Sequence, residues 1–185
     1  MIKTGGSRLA NISFRSLRGV LISMIVAAVL DQLSKYWILD LLRPGEGMKV
    51  FPGFFNLVLV FNPGAAFGFL AGLGDGIRQV VLGLTTFVAL GTVIYFLIVD
   101  YFSDSLAKCG LGLVLGGAIG NVIDRIRIGE VVDFLDFYIG SYHWPAFNIA
   151  DSAICIGVGI LILRAPKKEG PVDPKLEAEK QGAGK

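Results

Sequence analysis

The 185-residue chain is 54% hydrophobic and only 17% charged, with 25 glycines, a balance that belongs to a membrane protein of one small domain rather than a soluble one. The net charge of +2 and the lack of a basic stripe or RNA-binding motif exclude nucleic acid as a partner. A single histidine, His143, and two cysteines in or beside apolar runs, Cys109 and Cys155, supply neither a disulfide framework, a zinc site nor an H-E-x-x-H protease, so no metal and no cofactor is expected.

Residues 1–18 carry Lys3, Arg8, Arg15 and Arg18 without an acid, and 19–30 is an uncharged run of twelve, apolar but for Ser23. That pattern also fits a cleavable signal peptide. The apolar residues resume at Trp37, Ile38, Leu39, Leu41 and Leu42, however, which predicts one retained helix from about 17 to about 42. Asp31 and Lys35, four apart, share a face of that helix and can pair, either as an ion pair that eases burial or as part of a polar, substrate-bearing interior. Ser34 is adjacent to Lys35 and does not face it, which excludes a Ser-Lys dyad.

From about 43 to 76 the chain leaves the membrane: Pro44, Gly45, Gly47, Pro52 and Gly53 break any helix, and FFNLVLVF at 54–61 reads as a strand. Asn62-Pro63-Gly64 is a turn signal, followed by small residues that let a backbone or ligand approach closely. Residues 80–99 supply a second, uncharged span. After a polar link, 111–123 form a third, in which Gly112, Gly116 and Gly120 make small-xxx-small pairs suited to close helix contact. Asp124 sits where this helix is expected to end, against the dipole, with Arg125 and Arg127 at hand to compensate. Residues 128–146 read as loop and short amphipathic structure with interfacial Tyr138, Tyr142 and Trp144, and His143 is expected to be an interface residue. Asn148-x-x-Asp151 has the form of a helix cap opening a fourth, short span, 153–163. Residues 165–185 mix charges with Gly and Pro and read as a disordered cytoplasmic tail.

The basic residues number four in the N-terminal arm, one in the middle link and six in the tail from Arg164, against three and two in the long loops. Both termini are therefore expected in the cytoplasm, and the loops near 43–76 and 126–147 outside. The outer junction gathers Asp124, Asp133, Asp136 and Asp151, which are expensive beside hydrocarbon unless they meet water, a cation or a chemical task. Asp133, carried on apolar backbone, and Asp151, opening a helix, come from different elements and can meet there. Two carboxyls in one site do not both ionise cheaply, so one stays protonated as acid while the other activates water.

Five segments in order, 31–35 (DQLSK), 62–67 (NPGAAF), 116–125 (GGAIGNVIDR), 131–134 (VVDF) and 147–151 (FNIAD), resemble the lipoprotein signal peptidases, or signal peptidase II family. The resemblance implies an aspartyl endopeptidase of the bacterial inner membrane that cleaves lipid-modified prolipoproteins ahead of the lipidated cysteine, in contact with phospholipid. It matches Asp133 and Asp151 to the catalytic aspartates, and leaves Asp31, Lys35, Asn62, Gly64, Asn121, Asp124, Arg125 and Asn148 to bind substrate or support the site. The implied fold is a mainly α, four-helix membrane domain, 1–164, with a small extracytoplasmic β-sheet. A proton-coupled transporter or channel subunit, the competing reading, is disfavoured by the aspartates' concentration at one face and by the lack of an inverted repeat. A scaffold without catalysis leaves the aspartate cluster without a use.

Overall fold

A 28-residue helix, α1 (Phe14–Leu41), opens the described structure. It has no proline to interrupt it, and at 1.5 Å per residue it is about 42 Å long. The computed structural model describes residues 14–64 and 104–164 together with positions 77 and 91. The expected second span at 80–99, the small residues at 65–69 and the tail at 165–185 lie outside the described residues.

Strands β1 (Gly47–Phe51) and β2 (Phe55–Asn62) follow, then α2 (Ser105–Ile128), β3 (Val131–Ile139), β4 (Tyr142–His143) and α3 (Ile149–Leu163). α1 and α2 are long and apolar enough to cross a bilayer, and α3 is a shorter apolar helix. Ile22, Ile25, Val29 and Leu33 of α1 are exposed, as lipid rather than water would have them.

α2 begins where Asp104 accepts hydrogen bonds from the N–H groups of Leu106 and Ala107, and it ends at Gly129, whose φ of 80° takes the left-handed conformation that closes a helix. It is thus longer at both ends than the span read from 111–123, because the capping groups and not the apolar run set its limits. Asp104 also pairs with Arg164 at 2.7 Å, tying the start of α2 to the end of α3.

The expected glycine packing is present. A side chain at Gly112 would meet Val20 and Ser23, one at Gly116 would meet Met24 and Ala27, and one at Gly120 would meet the carboxylate of Asp31. These three glycines therefore set the approach of α2 to α1. Gly116→Leu is expected to lower stability by about 1–3 kcal/mol through overpacking, whereas Gly159→Leu, which has open space around it, should stay within about 0.5 kcal/mol. Thermal unfolding of the two variants in detergent compares them.

The strands form an antiparallel sheet in the order β1-β2-β3-β4. Residues 128–146, read from the sequence as loop and amphipathic structure, are here largely strand, which is a correction. Two acids, Asp133 and Asp136, interrupt the apolar pattern of β3, yet the strand is buried from Val131 to Phe134. Val132 and Phe134 pack with Leu57 and Leu59 of β2 on Ile38 near the end of α1, which seats the sheet on the helices. β1 was also missed, because Gly47 and the flanking prolines mask a fully exposed edge strand.

Between Leu57 and Val60 the pairing of β2 with β3 shifts by one residue, a β-bulge. Asn56 lies opposite Asp136, and Asn62 opposite Val131.

Candidate active site

Phe147 delivers the last motif to the sheet. Its backbone exchanges hydrogen bonds with Leu135 at 2.8 and 3.1 Å, and its ring stacks on Phe137 with centroids 5.8 Å apart. The next residue, Asn148, is wholly buried and caps α3. Its side-chain oxygen accepts from the Asp151 N–H at 2.9 Å, and the Asp151 carboxylate faces the Asn148 N–H at 3.4 Å, a reciprocal capping box. The sequence left cap and chemistry as alternatives, and the structure contains the cap in the same residues that form the site. With its oxygen occupied by the cap, the Asn148 amide nitrogen points at Asp133 Oδ1, 2.7 Å away.

Asp133 is only 2% exposed. Its second oxygen accepts from Asn62 Nδ2 at 2.8 Å, and the Asn62 oxygen accepts in turn from the Gly64 N–H at 2.9 Å. Gly64 has φ 87°, a conformation that glycine adopts without strain, so the turn that holds Asn62 depends on it. Across the site Asn121 Nδ2 donates to Asp151 Oδ1 at 2.8 Å. The Asn121 oxygen accepts from Lys35 Nζ at 3.1 Å and from Asn148 Nδ2 at 3.2 Å.

Three amides are thereby oriented by groups that can only donate: a backbone N–H for Asn62, another for Asn148, an ammonium for Asn121. All three NH2 groups point at the two carboxyls, and none can take up a proton near neutral pH. These amides therefore orient the two carboxyls without exchanging protons with them.

Behind this pair lies a buried ionic cluster. Lys35 is 1% exposed and its Nζ lies 2.8 Å from both Asp31 Oδ2 and Asp124 Oδ2, so with Asn121 its three donors have three acceptors. Asp31 also accepts from the Ala150 N–H at 2.9 Å, and Asp124 from the Val132 N–H at 3.2 Å. The Asp31–Lys35 pair read from the helix spacing is present. The expectation that Arg125 and Arg127 neutralise Asp124 is corrected: its cation is Lys35 from α1, and among the described residues neither arginine makes an ion pair with it. Asp124 also lies inside α2 and not at its end, with its carboxylate turned toward α1 and the start of β3.

Arg125 is half-buried, donates to the Asn121 carbonyl at 3.4 Å, and lies in the field of Asp151 first, then Asp133 and Asp124. Ser34 turns back on its own helix to the Asp31 carbonyl, in keeping with the excluded dyad.

Sequence reasoning missed Gln32, whose amide nitrogen reaches Asp31 Oδ2, Asp124 Oδ1 and the Gly120 carbonyl at 3.0–3.2 Å. Its position next to Asp31 was the available signal. His143 was read as an interface residue, but its Nδ1 lies 2.8 Å from Asp136 Oδ1 and its ring stacks on Tyr138.

Burial is the largest influence on the Asp133 carboxyl and pushes it up to about 6. The Asp151 charge adds to that rise, while the amides of Asn62 and Asn148 oppose it.

Two aspartates joined through asparagine amides, an ionic cluster behind them and membrane-length apolar helices beside them fit a membrane-bound hydrolase. Solved structures agree on the class: two bacterial membrane enzymes, solved in meso at 1.9 and 2.3 Å, superpose with TM-scores of 0.70 and 0.68 at 35% and 34% identity, covering 81% and 83% of this chain and 94% of each of theirs. The chain belongs to the signal peptidase II family, whose model, Signal peptidase (SPase) II, matches residues 23–166, and it is an aspartic-type peptidase. Curated relatives include the lipoprotein signal peptidases of Syntrophus aciditrophicus, 47% identical over 80% of this chain and 92% of the relative, and of Syntrophotalea carbinolica, 51% identical over 78% and 88%.

Proposed function

We propose that the chain cleaves the signal peptide from diacylglyceryl-modified prolipoproteins on the N-terminal side of the lipidated cysteine, with Asp133 and Asp151 activating the attacking water. The observation that carries this reading is the shared use of Asn148, which caps the helix bearing Asp151 and donates to Asp133 with the same amide. One carboxylate draws a proton from water as it attacks the scissile carbonyl, and the other, protonated, donates to the carbonyl oxygen. Asn62, Asn121, Arg125 and Asn148 hold geometry, and Asp31, Lys35 and Asp124 hold the helices that carry it. Alanine at any of the first four is expected to weaken turnover only in part.

The domain is proposed to be a four-helix unit of the bacterial inner membrane, 1–164, with extracytoplasmic insertions near 43–76 and 126–147, a cytoplasmic tail at 165–185 and both termini in the cytoplasm. Two membrane-length helices, apolar α3 and the distribution of basic residues support this. The 15 residues of α3 span about 22 Å against a hydrocarbon core of about 30 Å. With Arg164 at the inner boundary, Asp151 comes to lie within the outer leaflet, beside phospholipid, where a lipid-anchored cysteine holds its peptide bond.

Incubating the full chain in detergent with a diacylglyceryl-modified precursor tests the activity, with loss of the signal peptide read by mass. Release from the modified precursor but not from its unmodified form is expected, and an intact modified precursor would overturn the proposal.

Asp133 also makes stability depend on pH. Its carboxyl titrates near 6 in the folded chain and about 3.9 when unfolded, so the native state holds the proton more tightly. Stability is then greatest below about 4 and declines as pH rises through 6, by up to about 3 kcal/mol. Asp133→Asn, which mimics the protonated acid, should unfold at an increasingly higher temperature than the parent between pH 4 and pH 7. A constant difference across that range would show that Asp133 does not bind the extra proton.

A further inference from the structure

Helix α3, whose first turn carries Asp151, begins with N–H groups that have no partner inside the helix. Asn148 takes the N–H of Asp151 from within the same segment. The N–H of Ala150, the residue just before Asp151, goes to another helix: at 2.9 Å it donates to Asp31 Oδ1, 119 positions earlier in the chain. Asp31 and Ala150 are both wholly buried, so water does not stand in for either partner. The capping box orders the turn internally, but its bonds run between residues 148 and 151 and move with the helix. The bonds from Asn121 and Asn148 toward the two carboxyls join side chain to side chain. The Asp31 bond instead fixes a peptide unit from which Asp151 springs.

Asp31 is itself held in place. Its Oδ2 accepts from Lys35 Nζ at 2.8 Å and from Gln32 Nε2 at 3.2 Å. On its way from α1 to α3 the carboxylate passes α2 at Gly120. A Cβ at that position would meet Asp31 Oδ2 and Cγ, and would lie 3.4 Å from the Cβ of Ala150. Any larger residue at 120 therefore claims space that the carboxylate uses.

We propose that Asp31 is a positioning residue for the proteolytic reaction: passing Gly120, it acts as a second cap on α3, supplied by α1, and sets the direction of the Asp151 carboxyl toward Asn121 and Asp133. This rests on Asp151 being catalytic, and the experiment separates the two ideas. Gly120→Ala adds one methyl group against the Asp31 carboxylate and leaves every charge in place. In Asp31→Asn the one remaining oxygen turns to Lys35, whose charged donor makes the stronger bond, and an NH2 group is left facing the Ala150 N–H. Each variant is expected to lower kcat about tenfold, within the range that a misplacement of an ångström or less produces, and to leave KM within about twofold. The double variant should lose little more than the larger single loss, because both changes act on one bond. Gly112→Ala adds the same methyl group about 12 Å away along α2, against Val20 and Ser23, and should keep kcat within about twofold.

Kinetics and thermal unfolding are measured on the same detergent-solubilised samples, at a temperature where the compared variants are folded. Gly120→Ala, which keeps the charges, decides against Gly112→Ala by itself if Asp31→Asn does not fold. Parental kcat in folded Gly120→Ala or Asp31→Asn, a loss that falls on KM and spares kcat, kcat losses that multiply in the double variant, or an equal loss in Gly112→Ala would each overturn the second cap. Asp151→Asn is carried alongside: if it cleaves normally, the catalytic reading fails whatever Asp31 does.

Discussion

Asp133→Asn, Asp151→Asn and the double variant are expected to lose cleavage almost equally, by about 10²–10⁴-fold, while still binding the lipidated precursor. Asparagine keeps the shape of each carboxyl but cannot exchange the proton that activates water. The geometry explains why the losses should not add. The amides of Asn62, Asn121 and Asn148 donate into the pair and accept nothing from it. With either aspartate gone, the remaining one has no partner with which to divide the roles of acid and base. Asp124→Asn should behave differently, because that carboxylate is already engaged by Lys35, Gln32 and the Val132 N–H, and its loss acts through stability. Cleavage and binding are read on the same detergent-solubilised samples. Near-normal cleavage by Asp133→Asn, together with a folded but inactive Asp124→Asn, would transfer the dyad to Asp124 and Asp151. The pH argument sharpens the test, since Asp133→Asn should be no less stable than the parent at pH 8 even as it loses activity.

Much of this site could be read along the chain, and the part that could not is physically instructive. The i, i+4 spacing of Asp31 and Lys35 gave their pair, since a helix fixes which residues are neighbours. The cap at Asn148 was legible for the same reason, being local. The cation of Asp124 was not: Arg125 was adjacent in sequence, whereas Lys35 is brought in by the packing of α2 on α1 through Gly112, Gly116 and Gly120. β3 was missed because a strand buried by helices on one side and a sheet partner on the other need not alternate in polarity, and because Asp133 and Asp136 find their donors on elements distant in sequence. The bulge in β2 had no local signature at all. Only the shifted pairing with β3 reveals it.

Removing the buried cation should have the largest effect on stability. Lys35→Met preserves much of the apolar stem but leaves Asp31 and Asp124, 0% and 2% exposed, without the ammonium that lies 2.8 Å from each. Breaking one partner out of a buried ion pair typically destabilises by about 3–5 kcal/mol, because the charge left behind has neither water nor a counter-ion. Gln32 cannot substitute, since its amide already divides its two protons among Asp31, Asp124 and the Gly120 carbonyl. Lys35→Arg should also fall short: a planar guanidinium is larger than the ammonium and directs its donors in a fork, while the acceptors here are arranged around a point. The damage reaches Asp133 and Asp151 through Asn121, whose oxygen is then held only by Asn148 Nδ2, so its donor to Asp151 is no longer fixed. Lys35→Met is therefore expected to unfold at a markedly lower temperature and, where still folded, to cleave more slowly than the parent. Adding Asp124→Asn should recover part of the lost stability by removing one stranded charge, giving a coupling between the two substitutions that independent sites would not show. Thermal unfolding of the parent, the two single variants and the double variant measures that coupling, and additive shifts would mean that Lys35 and Asp124 do not act as a pair.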